Sequence, residues 1–252
     1  MARQENAALQ TPVSPADASV GISPKPWGIP AILLALALPL LLWGSSLAIT
    51  ITQGGTDDLT RGEVAAGLVL TIVLDVALVL IAAGLSIWRY HLGRGELGLR
   101  PFDRDLWWLP LAAAAAAHAG VIIYAVVISA AGGAAPEQET EELFDFRLLL
   151  PLAGVATVIF APLAEEIFFR GFVFAGLLRP FGPIGAMLAS GVLFGAFHIT
   201  SADTAGLIVP FSAIGVLLAW VYYRTGSLWP SIGTHFLFNL VSFAALAATA
   251  GS

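Results

Sequence analysis

Seven apolar stretches alternate with short polar connections along the chain, at roughly 29–52, 64–88, 106–131, 147–177, 184–200, 206–223 and 230–249. A helix needs about 17–25 such residues to cross a bilayer. The pattern therefore predicts an all-α, polytopic transmembrane helix bundle of about seven (six to eight) membrane helices. The fourth stretch is too long for a simple span and is expected to tilt or to project beyond the bilayer. Gly182-Pro183 marks a tight turn between the fourth and fifth helices, and Ser227 to Pro230 starts the last one. The run Ala112–Ala117 suits close helix packing, and no internal repeat is evident. Residues 1–27, polar and rich in Ala, Pro and Ser, read as a disordered cytoplasmic tail, and 28–252 as a single bundle. The first apolar run begins near Pro30 at full spanning length, so signal-peptide cleavage is not expected.

Composition agrees with that pattern. The 252 residues are 58% hydrophobic and only 11% charged, against about 25% charged in soluble domains. The net charge of −6 is spread over loops, and no basic patch with interleaved aromatics is present, so nucleic acid is not an expected partner. The absence of cysteine excludes disulfides and thiolate chemistry. Arg3, Lys25, Arg89, Arg94, Arg100, Arg104, Arg179 and Arg224 fall on one side of a seven-helix scheme, against Arg61 and Arg147 on the other. By the positive-inside rule the N-terminus is cytoplasmic, the C-terminus is external, and the expected location is the cell membrane. The acidic segment Glu137, Glu139, Glu141, Glu142 and Asp145 reads as a solvated outer loop.

Against this background, Glu165, Glu166 and Arg170 stand inside PLAGVATVIFAPLAEEIFFRGFVFAGLL. Each ionisable group costs about 2.5–3.5 kcal/mol at the centre of a spanning helix unless it has partners or faces an aqueous cavity. Glu166 and Arg170 are i,i+4 and share a helix face, whereas Glu165 points about 100° away. The arginine can therefore hold Glu166 ionised and leave Glu165 free to act as a general base.

Phe194 and His198 are also i,i+4, as are His235 and Asn239. Positions 165 and 198 are equidistant from the midpoint of a hairpin turning within Arg179–Pro183, so an antiparallel hairpin brings Glu165 and His198 to one depth. His235 lies close to the cytoplasmic start of its helix. Convergence of all three then requires the hairpin to project into the cytoplasm, as the over-long fourth helix allows. The buried polar site is thus expected among helices four, five and seven.

These motifs, EExxxR, FxxxH and HxxxN in this order on membrane helices, resemble the CPBP family. That family contains the type II CAAX prenyl proteases and the bacteriocin-processing and Abi proteins. The resemblance covers about 147–247 and extends weakly to Leu97-Gly-Leu-Arg-Pro101. It implies an intramembrane endopeptidase in which Glu165 and His198 activate water. His235 and Asn239 would stabilise the oxyanion, and Glu166 and Arg170 would hold the site. The implied substrate is a membrane-associated peptide or protein, reached from the lipid bilayer. No HExxH is present. A metal-free mechanism is the favoured reading and the cofactor is left unassigned. A divalent metal such as zinc would draw on Glu165, His198 and His235.

Two other functions stay open at this point: a non-catalytic immunity or scaffold protein, which would tolerate replacement of Glu165, and a proton-coupled transporter, which would need a polar path to both faces. Phe194 is the candidate substrate-binding residue, with packing beside the site as its plainer role. His91 and His118 carry no functional expectation. Asp75, within TIVLDVALVL, is expected to bond a neighbouring helix rather than to line a cavity. Gly191 and Gly195 form a GxxxG spacing suited to close helix approach.

Overall fold

The computed structural model describes residues 22, 25–53, 60–91, 93–133, 148–199 and 203–249. Among these residues the chain is helical throughout, without strands. The helices are α1 (Ile29–Gln53), α2 (Arg61–Gly84), α3 (Leu109–Ala130), α4 (150–181), α5 (183–196), α6 (Ile208–Thr225) and α7 (Leu228–Thr249). The expected acidic outer loop lies outside the described residues. Among the described residues five stretches are long and apolar enough to cross a membrane: Arg61–Arg89, Arg104–Ala130, Leu150–Ala196, Thr204–Thr225 and Leu228–Ala248. The third of these contains both α4 and α5.

Local chemistry accounts for the helix ends. Thr60 Oγ1 accepts from the Glu63 backbone N–H, and the Glu63 carboxylate accepts from the Thr60 N–H, a reciprocal cap that starts α2. Gly182, at φ 65° and flanked by Pro180 and Pro183, separates α4 from α5. Proline cannot continue either helix, and the left-handed conformation falls on the residue that tolerates it. Gly226, also at φ 65°, ends α6, and Ser227 Oγ then accepts from the Trp229 N–H as α7 begins.

α4 is the central element. It packs against α2, α6 and α7, and α5 folds back beside it to lie along α6. Gly191 and Gly195 meet the backbone of α6 closely. A Cβ on Gly191 would lie 2.8 Å from Val216 N, and one on Gly195 would lie 2.7 Å from Ser212 N. The GxxxG spacing thus does what small residues do between membrane helices. Ala113, Ala114 and Ala117 are buried on α3, which packs on α6 and α7.

The burial pattern is that of a protein in lipid. Leu33, Leu41, Leu80, Ile122, Ile123 and Ile184 are all exposed on the outer surface, while Glu166, Arg170, Ser190, Ser231 and His235 are enclosed. A water-soluble protein rarely leaves so much apolar area uncovered, whereas acyl chains cover it in a bilayer. The expected tail lies mostly outside the described residues, but its last residues are fixed. Trp27 is buried, donates from Nε1 to the Phe172 carbonyl at 2.9 Å and stacks on the Phe172 ring. Lys25 pairs with Glu96 at 2.7 Å.

Candidate active site

The central helix does not keep α geometry. At Ala156–Phe160 and again at Glu166–Phe174 its backbone widens to π-helical hydrogen bonding. Such widening loosens individual carbonyls and is frequent at functional sites. Three carbonyls in these segments accept donors from elsewhere: Thr157 from Asn239 Nδ2 (2.8 Å), Phe169 from Ser190 Oγ (3.1 Å) and Phe172 from Trp27 Nε1. The polar cluster therefore sits on a helix braced from three sides.

Glu166 and Arg170 are both completely buried, and Glu166 Oε1 lies 2.9 Å from the guanidinium. Oε1 also lies 3.1 Å from His235 Nδ1, and Oε2 accepts from Ser231 Oγ. Arg170 donates from Nη2 to the Gly215 carbonyl at 3.1 Å and lies 4.3 Å from the centre of the Phe194 ring. Every oxygen of Glu166 is engaged, which leaves this carboxylate no free valence for a reacting group.

Glu165, one residue earlier, is arranged differently. Its Oε2 is buried without a hydrogen-bond partner and lies 4.0 Å from His198 Nε2. His198 Nδ1 lies 2.8 Å from the Phe194 carbonyl. A carbonyl only accepts, so Nδ1 carries the hydrogen and a neutral ring turns its Nε2 lone pair towards Glu165. The ring is stacked on Phe211 at 4.3 Å. α4 and α5 thus bring Glu165 and His198 to one depth across the Gly182 break, as the hairpin arithmetic anticipates.

The other predicted residues fall as follows. His235 joins the cluster through Glu166 rather than Glu165. Asn239 shares its helix face but spends one amide hydrogen on Thr157. Phe194 is buried beneath Arg170, edge-on to Phe169 and beside both His198 and His235, so it is a packing centre with no free face. His118 contacts the Ala114 carbonyl and Phe238 away from the cluster. Ser231 was missed. It precedes His235 by four residues on the same face, a signal that the sequence carries. Among the described residues no group of three His, Asp or Glu side chains converges as a metal-ligand set. Glu165, His198 and His235 accordingly do not fit a divalent ion, and no step is drawn through one.

Fold and site together define a polytopic helical membrane protein with a carboxylate–imidazole pair, partly enclosed, beside a fully buried ion pair. Residues 147–241 match the family described as type II CAAX prenyl endopeptidase Rce1-like, a segment containing every motif residue from Glu165 to Asn239. A protein of Bacillus subtilis (strain 168), named "Putative membrane peptidase YdiL", is 32% identical over 102 residues, 40% of this chain. The matched region also spans 40% of the length of that relative. No solved structure matches significantly. It is the 147–241 segment that resembles this family of membrane proteases.

Proposed function

We propose that the protein is an intramembrane endopeptidase that hydrolyses a peptide bond in a membrane-associated peptide or protein, with Glu165 as general base. The observation that carries this reading is the pairing of an unengaged carboxylate oxygen with a histidine lone pair across 4.0 Å. Two acceptors facing each other need a donor between them. A water at about 2.8 Å from each would subtend about 90°, close to its own bond angle.

In the proposed reaction Glu165 takes one proton as the water oxygen adds to the scissile carbonyl carbon. His198 holds the other hydrogen and fixes the direction of attack. The oxyanion meets the second amide hydrogen of Asn239 and, when His235 is an imidazolium, its Nε2–H. The C–N bond then breaks, and Glu165 returns its proton to the leaving amine. Glu166 and Arg170 take no part in proton transfer. They hold His235 and seat α4 against α6.

Lys25, Arg89, Arg100, Arg179 and Arg224 lie in connections or last helical turns, where Lys25 meets Glu96 and Arg100 meets Gly226. Those connections are cytoplasmic in this reading, and the substrate's peptide bond enters from there.

The test uses the purified protein in proteoliposomes with two quenched-fluorescence peptides, one ending in a farnesylated CAAX sequence and one resembling a secretion leader. Wild type is expected to cleave at least one, with Glu165→Gln about 10²–10⁴-fold slower. Full activity in Glu165→Gln would remove the general base and favour a scaffold role.

A further inference from the structure

A groove of about 530 Å³ lies between α1 and α2, and none of the site residues lines it. Leu34 and Leu38, four apart on α1, form one wall. Leu80, Gly84 and Trp88 form the other at the same spacing along α2 and its continuation. Ile81 and Leu85, packed against the core, make the floor. A Cβ on Gly84 would meet nothing within 4 Å. Glycine costs a helix stability, and here no close approach of another protein segment accounts for it; an occupant of the groove would. The stretch Leu85–Arg89 is π-widened, as helices often are at functional positions.

Arg89 is the one charged residue of the lining. Its guanidinium lies over the ring of its neighbour Tyr90 at 5.4 Å. Among the described residues no carboxylate pairs with it. From Leu80 to Arg89 the wall rises by about 13 Å, close to half of a hydrocarbon core about 30 Å thick. Trp88, 83% exposed, stands beside the charge, the place of an aromatic residue at a membrane interface. The groove is therefore an apolar bore one leaflet deep with a cation at its mouth.

We propose that this groove binds an anionic phospholipid, with one acyl chain along the bore past Gly84 and the phosphate accepting hydrogen bonds from Arg89. Charge selects the ligand. A zwitterionic headgroup carries its own ammonium, which offsets the attraction to a guanidinium; an anionic headgroup does not. In the orientation read from the basic residues, Arg89 faces the leaflet surface whose anionic lipids attract such side chains. The acyl chain fills the gap that α1 and α2 leave, so the lipid joins the two helices.

The test places the full chain in nanodiscs containing phosphatidylglycerol or phosphatidylcholine brominated on the acyl chains, over a range of mole fractions. Bromine quenches tryptophan at short range, and the Trp88 signal is the difference between each protein and its Trp88→Phe counterpart. Half-maximal quenching is expected at about fivefold less phosphatidylglycerol than phosphatidylcholine. Arg89→Lys should keep most of that preference and Arg89→Gln should lose it. Gly84→Leu, which fills the bore without a clash, should weaken quenching by both lipids. Equal quenching by the two lipids in wild type overturns the proposal, as does a preference that survives Arg89→Gln or full quenching in Gly84→Leu. A farnesylated peptide that relieves the quenching, where unbrominated phosphatidylglycerol does not, would overturn it in favour of a substrate's own chain. Where Gly84→Leu fails to fold, the two Arg89 variants decide. None of these readouts depends on peptide cleavage, so they stand apart from the role given to Glu165.

Discussion

Replacing Glu166 with glutamine keeps the side chain's size and one acceptor but leaves the Arg170 charge without its counter-ion. The two groups are 2.9 Å apart and both fully enclosed. At an effective dielectric near 20, unit charges at about 3 Å attract by about 5–6 kcal/mol. Arg170 would retain the Gly215 carbonyl and the faces of Phe194 and Phe169, none of them an anion. Breaking a buried pair from one side commonly costs about 3–5 kcal/mol, and that is the expected loss for Glu166→Gln. Removing both charges, as in Glu166→Gln with Arg170→Met, should recover most of it. Glu165→Gln should stay within about 1 kcal/mol of wild type, since its buried oxygen forms no hydrogen bond. Equilibrium unfolding in mixed micelles measures all three and, with Arg170→Met alone, closes a double-mutant cycle. Equal destabilisation by the two glutamate variants, or a coupling energy below about 1 kcal/mol, would refute the division of labour between adjacent carboxylates.

Gly195→Val would drive a side chain into Ser212 and the Ile208 carbonyl. It should cost at least about 1–3 kcal/mol, read as a lower unfolding midpoint; an unchanged midpoint would mean that α5 and α6 are not so close. Chelation of divalent metals should leave peptide cleavage unchanged, because Glu165, His198 and His235 form no ligand set; loss of activity restored by zinc would contradict this. The Glu96 carboxyl is held below its ordinary value, chiefly by the hydrogen bond from Lys25. A depressed folded value means that the pair stabilises the fold above the unfolded value of 4.5 and ceases to do so as pH falls through the folded one. Glu96 is half exposed, so the contribution is under about 1 kcal/mol. The midpoint difference between wild type and Lys25→Gln should therefore close on acidification, and a gap that persists at acid pH would count against the ion pair.

Much of this arrangement is legible in the sequence because membrane burial exaggerates the cost of polar groups. Apolar length marks the helices, and the i,i+4 spacing of Glu166 and Arg170 names their partnership. The nearly equal spacing of 165 and 198 from the Gly182 turn foretells that they meet, since a hairpin conserves depth. What escapes is whatever depends on rotation about neighbouring helices. Spacing puts His235 on the face of Asn239 but cannot say which glutamate it meets. Nothing in an apolar run announces a π-widened backbone. Trp27 looks like part of a polar tail because its partner, the Phe172 carbonyl, is a backbone atom that no residue pattern marks.

The widened backbone at Glu166–Phe174 also constrains the number of residues, not only their identities. Deleting one residue there while the wide hydrogen bonding persisted would draw every earlier residue one position along the helix. Everything before the deletion would then turn by about 100° relative to everything after it. Glu165 would swing away from His198 while the Gly182 hairpin stayed in place. Insertions and deletions among relatives should therefore gather in the connections and spare 156–174, so that in this protein segment length is itself part of the site.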